Sequence, residues 1–222
     1  MWPASQKSMH LARLYRGAAE SKEALFIRHL FSMSNWLESY KATAKSAHVL
    51  LDPDVSPYSI LQASEIADVA FVSEFLTKQG EANEGHIDVD VSRLRRTWET
   101  AILIVAFLNK KHGKNFKVRL NVYDTLNERG FGRDNVPESP KKQMAKFREW
   151  YASYERGSLW SACTGSGSSL RLEALEQELK QLTLPHYVFK HSKTKSSVIV
   201  GHSKWYTDAI QTIPERYVSL KY

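Results

Sequence analysis

The stretch Ile87-Asp88-Val89-Asp90-Val91-Ser92-Arg93-Leu94-Arg95-Arg96-Thr97-Trp98-Glu99-Thr100-Ala101-Ile102 changes its period halfway along. Up to Val91 apolar residues alternate with acidic ones, the period of a strand. From Trp98 onward Ala101, Ile102, Val105 and Leu108 recur at helical steps. A strand that turns within a few residues into a helix is half of a βαβ unit. Such units build parallel sheets covered by helices.

Working outward, the same alternation of short apolar runs and helical spacings recurs. Leu25-Phe26-Ile27 is a continuous apolar run ending at Arg28, as expected of a central strand buried on both faces. Residues 35–48 read as a helix carrying Trp36, Leu37, Tyr40 and Ala44. A loop punctuated by Asp52, Pro53, Asp54 and Pro57 follows. A second helix runs from Ile60 to about Lys78 and is expected to stop at Gly80. Phe116, Val118, Leu120 and Val122 alternate with polar partners, predicting a half-exposed strand. Ser139-Pro140 opens a helix with Met144, Phe147, Tyr151 and Tyr154 on one side. The loop Thr164-Gly-Ser-Gly-Ser-Ser169 precedes an amphipathic helix through Leu172, Leu175, Leu179 and Leu182. Val198-Ile199-Val200 forms the last buried strand, ending at Gly201-His202. The pattern predicts an α/β fold, a three-layer αβα sandwich around a mostly parallel central sheet.

Composition bounds the rest. With 222 residues, 42% of them hydrophobic, the chain suits one domain, read as residues 24–222 behind an N-terminal extension over 1–23. That extension is basic and lacks an acidic residue before Glu20, a composition shared by solvated tails and mitochondrial targeting peptides. The net charge of +7 is spread along the chain, which suits an anionic ligand but is not a nucleic-acid footprint. No apolar run approaches the ~18 residues of a membrane span, so the expectation is a cytoplasmic protein with no membrane partner. Cys163 is the one cysteine, which excludes internal disulfides and multi-cysteine zinc sites.

In parallel α/β sheets ligands bind beyond the carboxyl ends of the strands. Three such ends carry related chemistry: Ile27 runs into Arg28-His29, Val91 into Ser92-Arg93-Leu94-Arg95-Arg96, and Val200 into Gly201-His202. Guanidinium groups match the planar bidentate geometry of phosphate oxygens. A neutral imidazole can attack phosphorus and carry it covalently. Two imidazoles and a guanidinium at one sheet edge therefore suggest a phosphoryl pocket.

Together these segments resemble the histidine phosphatase superfamily, the phosphoglycerate-mutase-like group. Its opening Arg-His, with Asn six positions after the His, is matched by Arg28, His29 and Asn35. Its second motif, Ser-x-Leu-x-Arg with Thr-Ala beginning four positions later, is matched by Ser92, Leu94, Arg96, Thr100 and Ala101. Its Leu-Asn-Glu-Arg loop followed by an aromatic residue and Gly is similar to Leu126-Asn127-Glu128-Arg129-Gly130-Phe131-Gly132. The last motif, a strand delivering a second His, corresponds to Val198-Ile-Val-Gly-His202-Ser203.

The resemblance implies a phosphomonoesterase with His29 as nucleophile and Glu128 as proton donor and later base. Arg28, Arg96, His202, Asn35 and Ser203 would hold the phosphoryl oxygens, with no cofactor or metal, and a phosphorylated small molecule or phosphoprotein would be the partner. Backbone N–H groups at the start of the helix after Arg96 would add to the anion site. Residues 129–185 would cap the pocket, with Phe147, Trp150, Tyr151 and Tyr154 as an apolar wall or as packing. A mutase is the weaker reading, because mutases carry Tyr where this chain has Phe131. The chief departure is Leu30 in the place of a glycine that lets backbone approach phosphate; its side chain is expected to crowd the site. That departure motivates the alternative of a catalytically impaired phosphate-binding protein. Phe31 and Met33 replace residues that are often polar in the family, Ser59 stands at a position usually Gly, and Lys204 stands where a small or amide residue is common.

Other readings of these residues are blander or fail. Arg93 and Arg95 read as a solvated basic turn, and Asp124 is a substitute for Glu128. Cys163 reads as an inert thiol, and the spacing of His186 and His191 does not suit a metal. The segment Gly201-His-Ser203-Lys-Trp205 lacks the final Gly of a hydrolase elbow, and no His follows it in the chain. No Gly-Lys-Ser/Thr follows the Gly-Ser run at 165–169, so it is not a Walker loop.

Overall fold

The computed structural model of the chain describes residues 9–16, 20–35, 50–128, 132–155, 182–190, 197–202 and 218–221. Its strands are β1 (Met9–Arg16), β2 (Glu20–Arg28), β3 (His86–Ser92), β4 (Lys117–Tyr123), β5 (Tyr187–Phe189), β6 (Val198–Gly201) and β7 (Val218–Lys221). Its helices are α1 (Ser59–Asp68), α2 (Ala70–Ala82), α3 (Arg95–His112) and α4 (Pro140–Glu155). All seven strands join one sheet in the order β5-β4-β3-β6-β2-β1-β7. The five from β5 to β2 are parallel, and β1 and β7 continue the sheet antiparallel. The architecture is α/β and compatible with a three-layer sandwich.

The local sequence accounts for the central strands. Leu25, Phe26 and Ile27 are all buried, so β2 is covered on both faces, as its unbroken apolar run requires. The register aligns Ile27 with Val200 and Val200 with Val91, and Arg28 pairs with Gly201. Ser92 in turn faces Tyr123 of β4. The carboxyl ends of β2, β6, β3 and β4 therefore finish level, and the residues that follow them emerge at one rim.

Helix α3 packs against β3, β4 and β6 and against α1. It is buried without a break from Arg95 to Leu108, more than the single apolar stripe anticipated. Its end is conventional: Gly113 adopts φ 59 in the left-handed region, and Lys110, Lys111 and His112 face the negative end of the helix dipole.

Several expectations are corrected. The helix expected from Ile60 to about Lys78 is two helices, because Val69 between α1 and α2 is extended at φ −70, ψ 116. Gly80 does not stop α2 but lies within it, where a Cβ would come 2.6 Å from the Phe116 ring. The extension expected over residues 1–23 instead contributes β1 and the first part of β2, paired from Met9 opposite Ile27 to Arg16 opposite Glu20. Backbone pairing along the edge of β2 needs no apolar periodicity, so composition did not reveal it. The short strands β5 and β7 also had no predicted counterpart. The helix read over 35–48 is described only at its start, and the 164–169 loop, Cys163 and the helix from Leu172 fall outside the described residues, save Leu182. No helix among the described residues is long and apolar enough to cross a membrane.

Candidate functional site

The rim formed by the level strand ends gathers most of the expected residues. His29 follows β2, and its backbone N–H donates to Gly201 O at 2.9 Å, which ties it to the strand that delivers His202. The two imidazole centroids lie 4.9 Å apart at an interplanar angle of 57°. Arg96, in the first turn of α3, places Nη2 3.5 Å from His202 Nδ1. Glu128, just past the short turn Asp124–Leu126 that ends β4, places Oε2 3.4 Å from the same nitrogen. Arg28 ends β2 and is close enough for its charge to act on both imidazoles.

Asn35 has a structural role beside the one expected. Its Oδ1 accepts from the Ser32 hydroxyl at 2.9 Å and from Ser32 N at 3.3 Å, so it braces the loop after His29. Ser203 lies outside the described residues. Asp124 is exposed and paired with Arg93, 3.3 Å away, so it does not substitute for Glu128.

The tautomer of His29 follows from its contacts. Its Nδ1 is 2.7 Å from Leu30 O, and a carbonyl only accepts, so Nδ1 carries the proton and Nε2 the lone pair. Burial pushes the His29 pKa well below its ordinary value, and the Arg96 and Arg28 charges push it further. His202 is lowered by burial, then by His29, Arg96 and Arg28. Both rings are therefore neutral near pH 7, and the His202–Glu128 approach is not an ion pair.

Arg96 is 3% exposed and held from behind: Nη1 donates to Asp134 O at 2.6 Å and Nη2 to Asn135 Oδ1 at 2.9 Å. Burial lowers its pKa against the opposing pull of Asp134, Asp52 and Glu128. Among the described residues, the Nε–H groups of Arg28 and Arg96 are buried and make no hydrogen bond or ion pair. Unpaired buried donors are rare and costly, and here both belong to cations whose charge acts on the two neutral imidazoles. An oxyanion would supply the missing acceptors.

The crowding expected from Leu30 does not occur. Leu30 is 0% exposed with its side chain in the hydrophobic core, and its N–H donates to Thr100 Oγ1 at 2.9 Å. Its φ is negative, since the described non-glycine residues with positive φ are Asp52 and Glu84, so the backbone needs no glycine there. The following peptide is clamped by α1: Phe31 N donates to Gln62 Oε1 at 2.9 Å, and Ser59 Oγ donates to Phe31 O at 2.6 Å. That clamp gives Ser59 a purpose a glycine would lack.

Arg95 is a second correction. It is 2% exposed and not part of a solvated turn, whereas Arg93 is half-buried. Arg95 Nη2 donates to Asp52 O at 2.6 Å, Nη1 bonds Asp54, and Glu99 Oε1 lies 3.6 Å from Nη1. Burial alone would lower its pKa, but Glu99, Asp54 and Asp52 outweigh that and raise it. Glu99 is pushed well above the carboxylate range by burial and by Asp54, to which it is hydrogen-bonded. Asp52 also takes the Arg95 backbone N–H at 2.9 Å, so the start of α3 already faces a carboxylate and adds less to an anion site than expected. The wall expected from α4 is packing: Phe147, Trp150 and Tyr154 belong to the core, with Phe147 stacked on Trp150 at 5.6 Å.

Nothing in the sequence pointed to Asp134 and Asn135 as the supports of Arg96. His186 is exposed, and His191 lies outside the described residues.

The ligand atoms of His29, Glu128 and His202 all lie within 4.8 Å of one another, a donor set that could hold a transition metal. Arg96 stands against that reading, because Nη2 occupies the approach to His202 Nδ1 and would meet the dication at short range. No family model, curated protein or solved structure matches the chain.

Proposed function

We propose that this protein is a phosphomonoester hydrolase of the histidine phosphatase type, with a phosphoglycerate-mutase-like fold, working through a phosphohistidine at His29. The observation that carries the reading is a buried neutral imidazole, its Nδ1–H held by Leu30 O and its Nε2 left as a lone pair, set within reach of the charges of Arg28 and Arg96, whose buried Nε–H groups find no acceptor among the described residues.

In the first step His29 Nε2 attacks phosphorus. The bond to the leaving oxygen breaks, and that oxygen takes a proton from Glu128 in its acid form. Arg28 and Arg96 hold the non-bridging oxygens, and His202 Nδ1 donates to one of them as charge spreads in the transition state. In the second step water attacks phosphorus and gives its proton to Glu128. The phosphorus–nitrogen electron pair returns to His29, and inorganic phosphate leaves. Leu30 obstructs neither step, since its side chain lies in the core.

The test is single-turnover labelling with a phosphate-labelled aryl phosphate, followed by peptide mapping. We expect an acid-labile label on His29, and no label or turnover in His29→Ala. Turnover by His29→Ala equal to the native protein, or label elsewhere, would overturn the proposal. Phosphate binding without turnover in the native protein would instead favour an impaired phosphate-binding protein.

A further inference from the structure

Ser92 ends β3, is 0% exposed, and among the described site residues touches His202. Its Oγ is 3.0 Å from His202 Nε2, 3.3 Å from Thr97 Oγ1, and accepts from Leu94 N at 3.1 Å. Thr97 Oγ1 directs its own proton to Leu94 O at 2.8 Å, which leaves it free to accept from Ser92. The Ser92 hydroxyl thus has one proton and two acceptors within reach.

We propose that Ser92 is a positioning residue for His202, its hydroxyl choosing which imidazole nitrogen bears the proton and so whether Nδ1 offers a donor to the phosphoryl group. This rests on the phosphatase reading above. When Ser92 donates to Thr97, His202 Nε2–H donates to Ser92 Oγ, and Nδ1 is a lone pair facing Arg96 Nη2, which can only donate, and Glu128 Oε2, which donates in the acid form the mechanism requires. When Ser92 turns to donate to Nε2, the imidazole proton moves to Nδ1 and points into the site. An arriving phosphate takes the Arg96 N–H groups and requires a donor from Nδ1, so it selects the second setting. No charge is created, which suits a ring that burial and the neighbouring cations keep neutral. The total of one hydroxyl and one imidazole proton is conserved in both settings.

Nitrogen-15 NMR of histidine-labelled protein reads the tautomer directly. In the native protein we expect His202 to be protonated at Nε2 when free and at Nδ1 with inorganic phosphate bound. Ser92→Ala should lose the switch, and its kcat should fall by roughly tenfold to a hundredfold, by analogy with the loss of hydrogen bonds that orient metal-bound histidines, with a smaller change in KM. Ser92→Thr, which keeps the hydroxyl, should restore both. Thr97→Val, which removes the competing acceptor, should hold His202 at Nδ1–H even without phosphate. Equal tautomer populations in native protein, Ser92→Ala and Thr97→Val would overturn the proposal. So would an unchanged kcat in a folded Ser92→Ala. If native protein neither binds phosphate nor turns over, the phosphatase reading fails, while the tautomers of the free proteins still decide the role of Ser92.

Discussion

Leu30 shows how much a single position can mislead when read alone. A branched residue after the proposed nucleophile looks obstructive, yet the chain turns it into the core and gives its N–H to Thr100. Replacing it with the expected glycine should remove buried contacts and add backbone freedom. We expect Leu30→Gly to lose about 2–5 kcal/mol in urea unfolding without gaining turnover per folded molecule. The imidazoles supply a second prediction at this scale. Both fold with pKa values below the ordinary 6.5, so the native state takes up protons less readily than the unfolded one. Their contribution to stability is present above 6.5 and is lost as pH falls through the folded values. The urea midpoint should therefore drop on acidification below about pH 6.5, and the drop should be shallower in a His29→Gln/His202→Gln double variant.

At the level of elements, the strand-to-helix unit of β3 and α3 was legible because both periods are strong and sit side by side. The break between α1 and α2 was not. It falls at Val69 in the run Ala67-Asp68-Val69-Ala70, which holds no Gly or Pro to mark it. Gly80 misled in the opposite direction: its small size answers Phe116, which is distant in sequence, and not a local need to end a helix. Gly80→Ala should therefore destabilise the protein by about 1–3 kcal/mol, read from thermal or urea unfolding, despite alanine's better helix propensity. A smaller Phe116→Leu ring partner should recover part of that loss.

Across the whole molecule the buried Arg95, Asp52 and Glu99, with the part-exposed Asp54, join parts that the sheet alone does not. Val55 N donates to Glu99 Oε2 at 2.7 Å, and Gln143 of α4 donates to Asp52 Oδ2 at 2.6 Å, so the 52–55 loop, α3 and α4 share one network. The site was readable in outline because its motifs lie at strand ends, whereas this network was not. Apart from Glu99, one turn along the same helix, the partners of Arg95 and Asp52 lie 41 or more residues away, and nothing local separates Arg95 from Arg93 or Arg96. Glu99 is raised by burial and Asp54, so its contribution is present below its unfolded value and is lost as pH rises through the folded one. Glu99→Gln keeps an acceptor for Val55 and a donor for Asp54, and should stay within about 1 kcal/mol of native at neutral pH while flattening that alkaline loss. Glu99→Ala leaves the buried Val55 N–H without its acceptor and should cost about 1–3 kcal/mol. Calorimetric or urea stability across pH measures both.

The place of β6 has a further consequence for how such a chain comes into being. It fills the gap between β2 and β3, although it is synthesised long after both. On a ribosome, the earlier strands would emerge with their inner edges bare until Val198–Gly201 left the exit tunnel. The two histidines meet only at that moment, so the candidate site is incomplete in nascent chains, which depend on slow, long-range closure and carry exposed edges for chaperones to shield.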